Sequence, residues 1–151
     1  MRRTIPIIIA IVCFVISLAV LAYWLKKGPG IDFIVYRDGA KGLVSGGPIY
    51  RFDGRPGLPF IYPPFAAFVF AILLAFPTWL GSLVFGTISF ISLAVISYLC
   101  AARWTALSGT LSSWKPWQIA APILALAATS EITSENFFHG QVNFIIAAVV
   151  L

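Results

Sequence analysis

The sequence predicts an all-α integral membrane protein, a polytopic helix bundle of four to five spans with one polar passage on its outer face. Three observations carry this reading. Of 151 residues, 60% are hydrophobic and only 10% are charged, against about 25% charged in an ordinary soluble domain. The mean hydropathy is +0.97. The apolar residues fall in uncharged runs close to the length of about 20 residues that crosses a bilayer. One stretch, Gly30 to Phe65, holds three of the five acidic and four of the ten basic residues.

The net charge of +5 does not mark a nucleic-acid binder. The basic residues stand mainly at the ends of apolar runs, where they meet lipid headgroups, and no cluster is dense enough to follow a phosphate backbone. Cys13 and Cys100 each lie inside an apolar run, so they read as small hydrophobes rather than a disulfide. No Cys/His spacing points to a metal. There is no internal repeat. The whole chain, 1–151, reads as one membrane domain.

Met1-Arg2-Arg3 is a positive head, and the run that follows, about 5–25, is a first span closed by Lys26-Lys27. It is longer than the apolar core of a signal peptide, and Tyr23-Trp24 looks like an interface anchor. The head places the N-terminus in the cytoplasm and the passage 26–64 outside. Six basic residues in that passage (Lys26, Lys27, Arg37, Lys41, Arg51 and Arg55) weigh the other way, unless the loop uses its cations on a phosphate.

Within the passage, Phe33 to Val44 has the period of a short amphipathic helix lying in the interface plane. Phe33, Tyr36, Ala40, Leu43 and Val44 fall on one face; Arg37, Asp38 and Lys41 fall on the other. Asp32 stands at the expected N-cap and Gly46-Gly47 at the end. Further spans are expected at about 61–77, 82–102 and 118–130. A tight turn at Thr78–Gly81 would make a hairpin of the first two. A last helix from about Val142, spanning 142–151, is incomplete, so a C-terminal portion is expected beyond it. If every span crosses, the Gly140–Asn143 patch lies opposite the Asp32 loop; a broken helix would leave it at membrane depth.

Four patches in this order carry a resemblance. They are D-F-x-V-Y-R-x-G-A (Asp32 to Ala40), G-x-P-x-Y (Gly46 to Tyr50), P-F-x-Y-P-P-F (Pro59 to Phe65) and G-Q-V-N (Gly140 to Asn143). Together they resemble glycosyltransferase family 87, the polyprenyl-phosphate-mannose-dependent mannosyltransferases of GT-C architecture. The resemblance runs from Asp32 to the end. It implies an inverting transfer of mannose or a related hexose from a polyprenyl-phosphate donor to a cell-envelope glycolipid, at the plasma (inner) membrane and without a cofactor or metal.

Asp32 matches the family's outer-loop aspartate, the base expected to take the acceptor proton; capping the following helix is its other reading. Asp38 and Asp53 are weaker candidates. The phosphate of the leaving group needs cations, and Arg37, Lys41, Arg51 and His139 are available. Tyr36, Tyr50 and Tyr62 either stack on a sugar or form an interfacial aromatic belt. Gln141 and Asn143 either hold sugar hydroxyls or bond to neighbouring helices. Glu131 and Glu135, at i and i+4, read as solvated. Two rivals stand beside the transferase. A transporter subunit is disfavoured by the uncharged spans. A non-catalytic truncated product would keep the motifs without a complete site, and a piece of this length is expected to be inactive by itself.

Overall fold

The computed structural model describes residues 4–50, 58–108 and 114–151. The positive head and the expected site residues Arg51 and Asp53, with Arg55, lie outside the described residues. Within them the regular structure is helical, as the composition predicts.

The first helix, α1 (Thr4–Lys26), matches the expected span. At 23 residues it is about 35 Å long, enough for a hydrocarbon core of about 30 Å. It buries only Ala10 and Ser17 and turns its isoleucines and valines outward. A helix apolar all round is built for lipid. The other helix of spanning length and hydropathy among the described residues is α4 (Thr78–Leu107).

The remaining apolar stretches are shorter than expected. The run after Pro63 gives α3 (Pro64–Phe70) and then a 3-10 turn, Ala71–Ala75; together they rise about 20 Å. The expected turn at Thr78–Gly81 is instead the first turn of α4, capped from Pro77. A proline at a helix start lacks only an N–H that would be unpaired anyway, so Pro77 opens a helix as readily as a turn. Nor do α3 and α4 form a hairpin: α3 and the 3-10 turn pack chiefly on α2 (Ile31–Val44). The run 118–130 forms α5 (Pro116–Ala128), 13 residues long.

The polar patch after it is a helix of its own, α6 (Glu131–His139). Ser130 caps it by accepting from the Thr133 N–H. Gly140 ends it at φ +71°, the left-handed conformation that glycine takes without a Cβ clash. The last helix, α7, runs Asn143–Val150.

Helices α1, α4 and α5 pack together, with α7 along α4 and α6 between α5 and α2. The C-terminal end of α1, the N-terminal end of α4 and the α6–α7 junction line one cavity with the start of α2. One end of the bundle therefore carries both polar stretches.

Candidate functional site

The site grows from the first turn of α2. The helix starts two residues earlier than its period suggested. Gly30 is its N-cap, and Asp32 lies in the first turn with no capping bond. Asp32 is thus not the cap; its half-buried carboxylate stands where the positive end of the helix dipole favours an anion. Phe33, Val35, Tyr36, Gly39 and Ala40 turn inward. Val44, expected on the same face, is 67% exposed.

Tyr36 is the hub. It is fully buried, stacked on Phe70 with ring centroids 4.3 Å apart and edge-on to Tyr62. Its hydroxyl shares a hydrogen bond of 3.2 Å with the Tyr62 hydroxyl. Burial pushes its phenol well above the ordinary tyrosine range, helped by the Tyr62 hydrogen bond and the charge of Asp32, while the Val142 backbone opposes the shift. Tyr50 joins from the rim, donating to the Tyr62 carbonyl at 3.2 Å. The three tyrosines therefore pack with Phe60 and Phe70 as one aromatic cluster.

The Gly140–Asn143 patch meets this cluster directly. A Cβ on Gly140 would stand 3.3 Å from the Gly30 α-carbon and 3.1 Å from the Phe33 Cβ. The two stretches that full spans would have separated thus touch at one end of the bundle. Gln141 and Asn143 bond to each other, Asn143 Nδ2 donating to Gln141 Oε1 at 2.8 Å. They line an open cleft of about 390 Å³ with Glu131, Glu135, Asn136 and Phe144. Glu131 and Glu135, exposed as expected, also line this cleft.

The cations are distributed differently from expectation. Arg37 turns its Nη1 to the carbonyls of Leu73 and Phe76, the latter at 3.0 Å. It holds the end of the 3-10 turn, where unpaired carbonyls attract a cation. Lys41 and Asp38 are exposed. Burial of part of Asp38 raises its carboxyl above the usual value, against the pull of Lys41 and Arg37. His139 ends α6 with Nδ1 3.3 Å from Glu135 Oε2 and 3.0 Å from the Glu135 carbonyl.

Sequence reasoning did not single out Gly30 or Asn136. The Gly-Pro-Gly of residues 28–30 read only as a loop, and Asn136 gave no signal beyond its place in a polar patch.

The model of glycosyltransferase family 87 matches residues 60–151. The chain is also similar to a polyprenol-phosphate-mannose-dependent alpha-(1-2)-phosphatidylinositol mannoside mannosyltransferase of Mycolicibacterium smegmatis, 28% identical over 133 residues. That match covers 80% of this chain and 30% of the relative, so the chain spans under a third of the relative's length. No solved structure matches the chain.

Proposed function

Because the chain belongs to glycosyltransferase family 87, we propose that it forms the catalytic-loop portion of a multi-pass membrane glycosyltransferase. The donor is a polyprenyl-phosphate hexose, mannose by likeness to the mycobacterial relative, and the acceptor is a cell-envelope glycolipid. The site lies at the outer face of the plasma membrane. One observation supports this most: the start of α2, with Asp32, packs against the Gly140–Asn143 junction. An ionisable group and an open cleft edged by Gln141 and Asn143, large enough for a hexose, thereby lie at one end of an apolar bundle.

In this reading Asp32 accepts the proton of an acceptor hydroxyl as the hydroxyl oxygen forms its bond to the anomeric carbon. The bond from that carbon to the phosphate oxygen breaks, its electron pair leaves with the polyprenyl phosphate, and the anomeric centre inverts. Gln141 and Asn143 offer both donors and acceptors to vicinal sugar hydroxyls. Tyr36 lies one turn along α2 from Asp32 and packs with Tyr62 and Tyr50 as an aromatic wall. Of the residues expected to meet the phosphate, Lys41 is exposed and His139 stands beside Glu135. Arg37 positions α2 through its carbonyl bonds.

The test is sugar transfer in membranes carrying the full-length gene product, with labelled polyprenyl-phosphate mannose, comparing wild type with Asp32→Asn. The amide keeps the size and cannot take a proton. Loss of transfer by at least 100-fold, within the range general-base catalysis contributes, with normal insertion supports Asp32 as base. Transfer near the wild-type rate overturns it.

A further inference from the structure

Below the contact between Gly30 and Gly140 lies a small cavity of about 20 Å³, lined by residues of α1, α2, α4 and α6 and the loop after α1. Two buried polar atoms on its lining have no hydrogen-bond partner among the described residues, Ser89 Oγ and Asn136 Oδ1, each on a residue only 2% exposed. Orphaned groups of this kind cost about 1–3 kcal/mol each when left unpaired, and native proteins keep very few of them.

Neither orphan is an accident of a crowded helix. Elsewhere in α4 three buried or half-buried hydroxyls fold back onto the carbonyl four residues earlier: Thr87 on Leu83 at 2.7 Å, Ser92 on Ile88 at 2.9 Å and Ser97 on Leu93 at 2.8 Å. Ser89 declines the same bond to Phe85. The orientation of the Asn136 carboxamide is fixed from the other side, because its Nδ2 donates to the Gln141 carbonyl at 3.3 Å. Reversing the amide would set two oxygens against each other. Asn136 Oδ1 therefore calls for a donor, and Ser89 for a partner of either kind.

The lining carries no charged side chain, so an ion would be stranded without compensation. A volume of about 20 Å³ exceeds the roughly 10–15 Å³ that a single water needs and leaves little room for more. We propose that this cavity is a binding site for one buried water molecule, which donates to Asn136 Oδ1 and shares a second hydrogen bond with Ser89 Oγ. The water ties α6 to α4 directly behind the start of α2, and so holds the Asp32 turn against the Gly140 junction. This inference stands independently of the catalytic reading.

The experiment is radiolytic hydroxyl footprinting of the full chain in lipid nanodiscs, with rapid mixing into ¹⁸O-water. The rings of Phe33, Phe85 and Phe137 line the cavity; Trp79, 67% exposed, reports bulk exchange. Oxygen label on the cavity rings that exchanges at least tenfold more slowly than label on Trp79 is the expected result, together with its loss in Ser89→Val, which fills the space. Cavity rings that take no label, label that exchanges as fast as at Trp79, or slow label that persists in Ser89→Val overturns the proposal. A structure of the full chain that resolves ordered water gives a second reading. A peak within hydrogen-bond distance of both atoms supports the site; Ser89 turned onto the Phe85 carbonyl with no peak refutes it.

Discussion

Gly30 and Gly140 meet backbone to backbone. A methyl group on Gly30 would lie 2.4 Å from the Gly140 nitrogen and 2.5 Å from the His139 carbonyl oxygen. Atoms that close cannot coexist, and the obstacle is main chain, which does not swing aside. The contact is what joins the Asp32 turn to the Gln141 and Asn143 cleft.

Gly30→Ala is therefore expected to push α2 off the α6–α7 junction. Sugar transfer by the full-length gene product should fall at least tenfold. Gly28→Ala is the control for backbone change in the same loop, since a methyl there meets nothing within 4 Å. Its positive φ of 87° carries a strain of about 1–2 kcal/mol, so stability should drop modestly while the site stays assembled. Equal transfer losses in the two variants would show that the Gly30 contact has no special role.

Arg37 bonds two carbonyls at the end of the 3-10 turn. A hydrogen bond from a charged group contributes about 1.5–3 kcal/mol, and the lysine ammonium, on a stem one atom shorter, falls short of the place of Arg37 Nη1. Arg37→Lys should lower the thermal stability of the protein in detergent, with transfer falling only in step with the folded fraction. If Arg37→Lys keeps full stability and instead raises the KM for the polyprenyl-phosphate donor, the arginine acts on phosphate.

Tyr36→Phe keeps the stack on Phe70 and deletes the bond to Tyr62. The expected cost is about 1 kcal/mol, the net worth of one neutral hydrogen bond, read from unfolding in detergent. Because burial holds the Tyr36 phenol protonated, the alkaline absorbance changes of wild type and variant should coincide through the ordinary tyrosine range near pH 10. A missing titration step in the variant within that range would contradict the buried placement.

Asp38 gives a pH signature. Its carboxyl is raised on folding, chiefly by burial, so the folded chain binds this proton more tightly than the unfolded chain. Its favourable contribution is full below the unfolded pKa and is lost as pH rises through the folded one. Asp38→Asn should thus gain stability relative to wild type as pH climbs through the carboxylate range, then hold a constant small advantage. The gain is small because the side chain remains exposed. Transfer should be unchanged, which separates Asp38 from Asp32.

Much of the fold was legible in the residues because lipid leaves few choices. An uncharged run from Thr4 to Leu25 has no stable state in a bilayer but a helix. The α2 helix was legible for a related reason: its apolar residues repeat at helical spacing, and Gly46-Gly47 ends it. The four patches were legible as an ordered set. The start of α2 was misplaced because Asp32 and Gly30 are both acceptable at an N-cap, and only packing decides between them.

What the sequence by itself determined is therefore local: which stretches are helical, which carry the polarity, and which family the chain belongs to. Tertiary structure decided that Pro64–Ala75 lies on α2 and that Pro77 opens α4 rather than a turn. It also decided that Arg37 holds carbonyls and that Gly30 meets Gly140 across most of the chain. The reason is physical. Periodicity and propensity act over one or two turns of helix, whereas these contacts depend on how the short helices α3, α5 and α6 turn the chain back on itself. That geometry is set by side-chain fit between elements far apart in sequence, and no local pattern encodes it.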